Sequence, residues 1–266
     1  MRRVFVQHTY GLDVAAYDED DGFREIGRIA LSDGQWKPDS VALSADGALL
    51  YTNWSDLNWQ TIEHRGGSRS RFTAHDAATL KPVWTIDLDS AVQHFAADPT
   101  GRYFYNAVYD RPRVIRVDVE TQKADYIHLP MLGGHKVRVS SDGRFCYVGS
   151  LTHSEFMEID CATLKFTRRM GFRDYVRPFV LTKDGSKAYI QLSREHGFHE
   201  FDLRAWTTTR FIELPPLPAD TPVEAEWPFT VDHGIEFTKD GKFLCVLATT
   251  GNYLAVYSYP QLELVK

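Results

Sequence analysis

The stretch VRVSSDGRFCYV (137–148) reads as a β-strand, a tight Asp-Gly turn and a second strand. An Asp-Gly pair between two alternating apolar runs is a strong short-range hairpin signal. A repeated unit that contains only strands and turns predicts a radial or solenoid array. The chain repeats this phrase at four further places: VALSADGALLYT (41–52), FAADPTGRYFYN (95–106), FVLTKDGSKAYI (179–190) and IEFTKDGKFLCV (235–246).

The repeat has a measurable period. A second phrase follows each copy, as MEIDCATLK (157–165) follows the first stretch, and an earlier relative, VAAYDEDDG (14–22), has no first phrase before it. The turn glycines are separated by steps of 54, 42, 42 and 56 residues, and they are Gly47, Gly101, Gly143, Gly185 and Gly241. A period of about 40–45 residues is typical of one four-stranded propeller blade. The two longer steps contain insertions at 53–71 and 215–228.

These spacings predict an all-β fold, a β-propeller of four-stranded antiparallel blades in a single domain over residues 1–266. Six blades are predicted, and a seven-bladed parent is the alternative. The first unit lacks its inner strand. Either blade 1 has three strands or a further C-terminal piece completes it. Closure of the ring between the first and last units is expected, because open sheet edges favour aggregation. The six units span approximately 2–31, 39–88, 92–130, 134–172, 176–214 and 232–266.

Composition narrows the range of partners. The net charge is −6 and no basic block is present, which excludes the clustered positive face of a nucleic-acid-binding protein. No apolar run is long enough to span a bilayer, and the N-terminus lacks the apolar region of a signal peptide. Cys146, Cys161 and Cys245 are odd in number and lack metal-binding spacing, which predicts reduced thiols. We therefore expect a cytoplasmic protein with a small-molecule ligand, and we leave its oligomeric state open.

The turn glycines also serve as a ruler for locating a site. In a propeller the first strand of each blade lines the central channel. Residues six and four positions before each glycine are apolar and are predicted to form the core between blades. Polar residues eight, seven and five positions before it are predicted to surround the channel mouth, although a one-residue slip in register would move each of them. They are Asp39, Gln93, His135, Arg177 and His233, then Ser40, His94 and Lys136, then Arg138 and Glu236.

This ring of residues suggests acid–base chemistry. Imidazoles bind divalent metals or act as bases near neutral pH. Arg177 and Lys136 are suited to hold a carboxylate or an enolate, and Glu236 to orient a histidine or act as an acid. We predict as catalytic residues His94, His135, Arg177, His233 and Glu236, and the three histidines among them are the candidate ligands of a divalent metal, the one cofactor suggested. A polar rim around a water-filled channel is the alternative interpretation.

Loops between the second and third strands, together with the 215–232 insertion, are predicted to open on the same face. Aromatic residues mixed with few charges suit a small-molecule pocket, and long loops in a compact fold usually bind ligands. The predicted substrate-binding residues are Asp39, Gln93, Lys136, Arg138, Trp54, Tyr109, His153, His196 and Trp227.

The phrases SADGALLYTNW, SSDGRFCYVGS and TKDGKFLCVLAT, with turn units such as IDCATLKFTRRM, resemble the YVTN-repeat propellers. These belong to the YncE-like group of lactonase-like and cytochrome-d1-like propellers. The resemblance implies a WD40-like propeller fold over nearly the whole chain. Its members include lactonases, a lyase, quinone or haem dehydrogenase subunits and proteins without known activity. No catalytic residue of the family carries over, and a haem-attachment CxxCH is absent from this sequence.

Two functional hypotheses remain. The first is a small-molecule enzyme with its active site at the channel mouth. It would use acid–base or metal-assisted lyase, isomerase or hydrolase chemistry on an anionic or carbonyl-bearing substrate. The second is a non-catalytic propeller scaffold that binds a ligand or another protein. No G-x-S-x-G, H-E-x-x-H, phosphate loop or paired CxxC is present to name a reaction.

Overall fold

The computed structural model describes residues 2–8, 12–31, 36–56, 68–219, 221 and 230–266. The chain divides into two compact units, unit 1 (Met1–Gly133) and unit 2 (Gly134–Lys266). Each unit contains three antiparallel sheets in sequence order. These are the blades of a six-bladed β-propeller, so the predicted all-β fold class is confirmed.

Unit 1 contains blades 1 to 3. Among the described residues blade 1 has three strands, one of the two alternatives that the sequence left open, and a short 3-10 helix, Glu19–Asp21, lies between its second and third strands. Blades 2 and 3 have four strands each. The strands are β1 Arg3–His8, β2 Asp13–Asp18 and β3 Arg24–Ala30; β4 Lys37–Leu43, β5 Leu49–Ser55, β6 Ser70–Asp76 and β7 Pro82–Leu88; β8 Val92–Ala97, β9 Tyr103–Val108, β10 Arg113–Asp118 and β11 Lys123–His128.

Unit 2 contains blades 4 to 6. Blades 4 and 5 have four strands each, and blade 6 has three among the described residues. The end of the chain, predicted as the fourth strand of blade 6, is not a regular strand, but it forms a bridge between Tyr257 and Leu264 and a backbone hydrogen bond from the Val265 amide to the Val256 carbonyl at 2.7 Å. The strands are β12 Gly134–Val139, β13 Phe145–Ser150, β14 Glu155–Asp160 and β15 Lys165–Gly171; β16 Val176–Leu181, β17 Lys187–Leu192, β18 Gly197–Asp202 and β19 Thr207–Glu213; β20 Ile235–Phe237, β21 Phe243–Ala248 and β22 Tyr253–Ser258.

The repeated turn residues have the local role that their chemistry predicts. In blade 4 the Asp142 carboxylate accepts from the Ser140 hydroxyl at 2.6 Å and from the Arg144 amide at 3.0 Å. Gly143 takes a φ of 72°, a conformation that glycine adopts without steric cost. The Asp160 carboxylate closes the next turn by accepting from the Thr163 amide at 2.7 Å. The repeated phrase therefore builds the blade.

The core of unit 2 lies between neighbouring blades. Phe156 on β14 packs edge-to-face against Phe179 on β16, with ring centroids 5.0 Å apart. Trp206 stacks on Phe156 and carries the Arg168 guanidinium on its face, 4.2 Å from the centroid. Phe156 and Phe179 are fully buried, and each contributes about 1.5–3 kcal/mol. This packing fixes β16, and with it the side chain of Arg177, relative to blade 4.

The predicted core positions are confirmed only in part. Val137, Phe179 and Ile235, six residues before their glycines, are buried. Leu43, four residues before its glycine, is 44% exposed, so its assignment to the core was wrong. That position is the last of β4 and lies beside the turn, where less of the neighbouring blade covers it.

Candidate functional site

Both four-stranded blades of unit 2 have an irregularity at the start of the inner strand. In blade 4, Gly134 pairs with Ser150 and Val137 pairs with Val148, so β12 has one residue more than β13 over this span. A β-bulge of this kind re-aims side chains and is common beside active sites. His135 and Lys136 lie within the bulge, and Arg177 lies within the equivalent bulge of β16.

Close approaches between blades position these strand starts. A Cβ added to Gly149 on β13 would lie 2.6 Å from Cγ1 of Val176, the residue before Arg177. The glycine therefore lets the start of β16 pack directly against β13. The Gly234 amide, at the start of blade 6, donates to the buried Gln191 side chain of blade 5 at 2.8 Å. This hydrogen bond fixes the position of the residue after His233.

Six charged or imidazole side chains of unit 2 interact at these strand starts, and we call them the basic cluster. The rings of His135 and His233 meet edge-to-face with centroids 5.6 Å apart. Three residues further along the strands, Arg138 donates to Glu236 at 2.6 Å. The basic cluster consists of His135, Lys136, Arg138, Arg177, His233 and Glu236.

Positive charge dominates the electrostatics of the basic cluster. Burial, reinforced by the charges of Arg177 and Lys136, lowers the pKa of His233 to about 4. Burial, reinforced by Arg138 and opposed by Glu236, lowers the pKa of Lys136 to about 8. At neutral pH the His233 imidazole is therefore uncharged, although two cationic side chains act on it. Such a site favours an anion.

One loop of blade 5 supports two members of the cluster. Arg177, only 4% exposed, donates through Nε to the Ser193 hydroxyl at 2.6 Å. The Ser193 carbonyl accepts from the Val231 amide at 2.9 Å, two residues before His233. Ser193 thus links Arg177 of blade 5 to the segment that contains His233 and precedes the first strand of blade 6.

A second network in unit 2 surrounds His196. The fully buried Asp232 accepts from the Gly197 amide at 2.8 Å, and its other oxygen lies 3.2 Å from Nδ1 of His196. The opposite nitrogen, Nε2, lies 2.7 Å from the Pro215 carbonyl and 3.0 Å from the Tyr253 hydroxyl. Burial raises the pKa of Asp232 to about 6, and His196 opposes that increase. His196 therefore connects residues from both ends of the 215–232 insertion.

The remaining predicted residues at strand starts belong to unit 1. Asp39 and Gln93 are buried, and Nδ1 of the half-buried His94 lies 3.3 Å from the Ser40 hydroxyl. The sequence analysis missed Lys37, a buried neighbour of Asp39. Burial lowers the pKa of Lys37 to about 8, while the Asp39 carboxylate acts in the opposite direction. Its signal in the sequence is a lysine ten residues before the turn glycine.

The predicted loop residues have mixed outcomes. Trp54 belongs to strand β5 and is fully buried, and its indole donates to Thr52 at 2.7 Å, so its placement in a ligand-facing loop was wrong. Tyr109 is also buried, directly after β9. His153 is exposed, and its Nδ1 lies 2.7 Å from the Thr152 hydroxyl. Trp227 lies outside the described residues.

Among the described residues, no group of three or more histidine, cysteine, aspartate or glutamate side chains is placed to hold a metal ion. Metal binding by His94, His135 and His233 stays a prediction. The part of the chain that the structure describes also contains no helix long and apolar enough to cross a bilayer.

Solved structures that share this fold include two proteins named as enzymes. Hydrazine synthase of Kuenenia stuttgartiensis matches with a TM-score of 0.71 at 16% identity, over 96% of this chain and 72% of its own. Dihydro-heme d1 dehydrogenase NirN, solved in complex with DHE, matches with a TM-score of 0.67 at 16% identity. That match covers all of this chain, which spans about half of NirN (54%). Likeness at this identity shows the fold alone. No family model and no curated protein matches the chain.

Proposed function

We propose that this protein is a small-molecule enzyme and that the basic cluster of unit 2 is its active site. Its substrate is a small anion that bears a carbonyl group, and its chemistry is proton transfer of the lyase, isomerase or hydrolase type. The observation that carries the proposal is the half-buried His233 imidazole, whose pKa is lowered by burial and by the charges of Arg177 and Lys136. A site with excess positive charge and a neutral base beside it is suited to bind an anion and then move a proton.

Each residue has a distinct role in this proposal. Arg177, oriented by Ser193, binds the carboxylate of the substrate, since a planar guanidinium matches that group. Lys136 stabilises the negative charge that develops on the carbonyl oxygen when a neighbouring C–H bond loses its proton. His233 and His135 exchange that proton with the substrate.

Binding of the anion also changes the pKa of the base, His233. A negative charge between Arg177 and Lys136 favours the protonated form of His233, so its pKa increases when substrate is present. The base is therefore weak in the empty site and stronger in the complex. Glu236, paired with Arg138, serves to position that guanidinium below the histidines.

The experiment is proton exchange in D₂O. The protein is incubated with a panel of small 2-oxo acids and 3-oxo acids. Loss of the signal of the α-proton, which lies on the carbon next to the ketone carbonyl, is followed by NMR. We expect exchange that saturates with substrate and that H233Q and K136M decrease by at least about tenfold, since one general acid–base group contributes about 10²–10⁴-fold. The control is H128Q, because His128 is exposed on β11 of unit 1.

The outcomes separate the two functional hypotheses. Exchange that is unchanged in H233Q and K136M, or absent with every compound, contradicts the proposal. Saturable binding without exchange would favour the non-catalytic binding scaffold instead.

We also propose that the chain is a divergent relative of the YVTN-repeat propellers, on the strength of the repeated phrases and the propeller fold. The three cysteines are free thiols, which supports a reducing location such as the cytoplasm.

A further inference from the structure

We propose that a cleft between blades 4 and 5 of unit 2 binds a free α-amino acid with an apolar side chain. The cleft has a volume of about 280 Å³ and lies where the Asp-Gly turns of the two blades meet. We call it the turn cleft, and its lining includes Asp142, Tyr147, Arg168, Asp184, Leu203 and Arg204. The basic cluster begins near the start of β12, whereas the turn cleft follows the end of that strand, so the inference goes beyond the proposed function.

Leu203 and Tyr259 occupy equivalent positions in blades 5 and 6. Each directly follows the third strand of its blade, β18 or β22. The Leu203 amide donates to the Ser186 carbonyl at 3.0 Å, and the Tyr259 amide donates to the Lys242 carbonyl at 2.8 Å. Ser186 and Lys242 directly precede the second strands of these blades, β17 and β21. The backbone therefore holds both residues at the same place in their blades.

The side chain at this position determines how well the space between two blades is filled. Between blades 5 and 6, the Tyr259 ring lies 5.0 Å from the ring of Phe237 and 6.4 Å from that of Tyr189, measured between centroids. Between blades 4 and 5, Leu203 takes its place and packs in one cluster with Tyr147. Tyr147 matches Tyr189, since each stands four residues after its turn glycine. Leucine has no ring to cover this space, which explains why the turn cleft is open.

A fixed guanidinium lines the turn cleft. Arg168 donates to the buried Glu158 through Nε at 2.9 Å and Nη2 at 2.8 Å, and Nη2 also donates to the Leu203 carbonyl at 2.7 Å. The guanidinium lies over the Trp206 ring, 4.2 Å from its centroid. Among the described residues Nη1 has a single acceptor, the Arg204 carbonyl at 3.5 Å. An Nη1 hydrogen is therefore available to a ligand carboxylate, and the exposed Arg204 side chain supplies a second cation.

Two exposed carboxylates line the same cleft, Asp142 from blade 4 and Asp184 from blade 5. The Oδ1 atom of Asp142 accepts both hydrogen bonds of its turn, and within the described part of the chain Oδ2 receives none. The Ser141 hydroxyl donates to the Lys183 carbonyl at 2.6 Å, which ties the turn of blade 4 to that of blade 5. The two carboxylates are thus presented together, and a ligand ammonium group is the partner that suits them.

An α-amino acid matches the chemistry of the turn cleft as a whole. Its carboxylate suits the guanidinium groups, and its ammonium group suits the turn carboxylates. Its side chain would lie against the apolar part of the lining, which consists of Phe145, Tyr147 and Leu203. A simple anion would leave the two carboxylates unmatched, and a simple amine would leave the guanidinium groups unmatched.

The test is a ligand-observed NMR titration of the full-length protein with L-phenylalanine. Two analogues each lack one charge, because 2-phenylethylamine has no carboxylate and 3-phenylpropanoate has no ammonium group. We expect saturable binding of L-phenylalanine and at least about tenfold weaker binding of each analogue, since each loses its charge-assisted contacts. L-serine keeps both charges but lacks an apolar side chain, and it should also bind at least about tenfold more weakly.

A matched pair of aspartate variants tests the ammonium contact. D142N removes the charge but keeps Oδ1 as the acceptor of the turn hydrogen bonds. Its control is D240N, because Asp240 closes the equivalent turn of blade 6 by accepting from the Thr238 hydroxyl at 2.7 Å. We expect D142N to weaken the binding of L-phenylalanine about tenfold and D240N to bind as the wild type does.

Two further variants test the carboxylate contact and the cavity. R204M removes an exposed cation of the cleft, and R169M, its control, removes an exposed cation of the neighbouring strand β15. We expect R204M to weaken binding about tenfold and R169M to leave it unchanged. L203Y places the residue of blade 6 in blade 5 and should abolish binding by filling the cavity. Thermal denaturation checks that each variant folds, and D142N and R204M remain decisive if L203Y does not.

The outcomes either support the turn cleft or overturn it. Equal binding of L-phenylalanine and 2-phenylethylamine, or of L-phenylalanine and 3-phenylpropanoate, would overturn the assignment to an α-amino acid. Equal binding of L-serine would overturn the role of the apolar lining. Absence of L-phenylalanine binding, or binding that D142N and R204M leave unchanged, would overturn the site itself.

Discussion

Arg138 on β12 donates to Glu236 on β20 at 2.6 Å, although 98 residues and the whole of blade 5 separate them in the sequence. Both residues stand five positions before their turn glycines, and the two histidines that pack together stand eight positions before the same glycines. The Arg138–Glu236 ion pair thus forms a second contact between these strands, three residues beyond the contact of His135 and His233. Lys136 lies between the two contacts along β12.

The two residues of this ion pair should shift the pKa of Lys136 in opposite directions. Removing the Arg138 cation in R138M should raise the pKa of Lys136, because Arg138 disfavours the charged amine. Removing the Glu236 carboxylate in E236Q should lower it, because Glu236 favours the charged amine. The pKa of each variant is measured by NMR titration after ¹³C reductive methylation. Shifts of the same sign in both variants would refute this electrostatic assignment.

His233 should make the protein sensitive to mild acid. Its folded-state pKa of about 4 lies below the unfolded value of 6.5, so the unfolded chain binds a proton that the folded protein does not. Stability contributed by the neutral ring is therefore present above pH 6.5 and decreases as the pH falls towards 4. At pH 5 the loss amounts to about 2 kcal/mol.

H233Q removes this titration and keeps a polar side chain. Relative to wild type, we expect H233Q to gain about 2 kcal/mol between pH 7.5 and pH 5 in urea-unfolding experiments. The exposed His128 provides the control, and H128Q should parallel the wild type. Parallel curves for H233Q and wild type would show that His233 binds protons equally in the folded and unfolded chains, which contradicts its lowered pKa.

The titration of Asp232 should change stability with pH in the opposite direction to that of His233. Its folded-state pKa of about 6 exceeds the ordinary value of 3.8, so the folded protein holds a proton that the unfolded chain releases. The associated stability is present below pH 3.8 and is lost as the pH rises through 6. Between pH 4 and pH 7 this loss is at most about 3 kcal/mol.

D232N tests this linkage with little change in shape. The amide oxygen can still accept from the Gly197 amide, and the amide nitrogen can donate to Nδ1 of a His196 whose Nε2 donates to Pro215. We expect the stability of D232N relative to wild type to increase from pH 4 to pH 7. D232A, which loses both contacts, should be destabilised at every pH, and a stability of D232N relative to wild type that stays constant from pH 4 to pH 7 would contradict the raised pKa of Asp232.

Much of this site was predictable because the turn glycine is a fixed reference point. Strand lengths are nearly constant from blade to blade, so counting back eight residues identified His135, Arg177 and His233. The bulge was not predictable, since counting residues back from the turn glycine does not show which residues pair across the two strands. Trp54 was misplaced because β5 continues through Ser55, farther than the turn phrase indicated.

The contacts that support the site were also beyond the sequence. Ser193, Gln191 and Asp232 act through partners on another strand or blade, and no local pattern reports such contacts. Lys37 shows the same limit, because its burial depends on packing around β4. The sequence therefore identifies which residues occupy the strand starts, and the tertiary contacts determine how each of them is charged.

Gly149 should be required for the position of Arg177. A Cβ at residue 149 would lie 2.6 Å from Cγ1 and 3.2 Å from Cβ of the fully buried Val176, so G149A must displace the start of β16. Overpacking of this kind costs about 1–3 kcal/mol. Displacing β16 also moves Arg177, the next residue, so the affinity for a small carboxylate such as pyruvate should decrease together with stability.

A double-mutant cycle distinguishes this clash from a general loss of packing. V176A alone removes buried methyl groups and should destabilise through the cavity that it leaves. In G149A/V176A the new methyl occupies part of that cavity, so the double variant should be more stable than the sum of the single effects predicts, by about 1 kcal/mol or more. Carboxylate affinity, measured by calorimetry, should recover in parallel because Arg177 returns towards its place. Additive effects on stability would show that β13 and β16 do not touch at this point and that Gly149 has no part in placing Arg177.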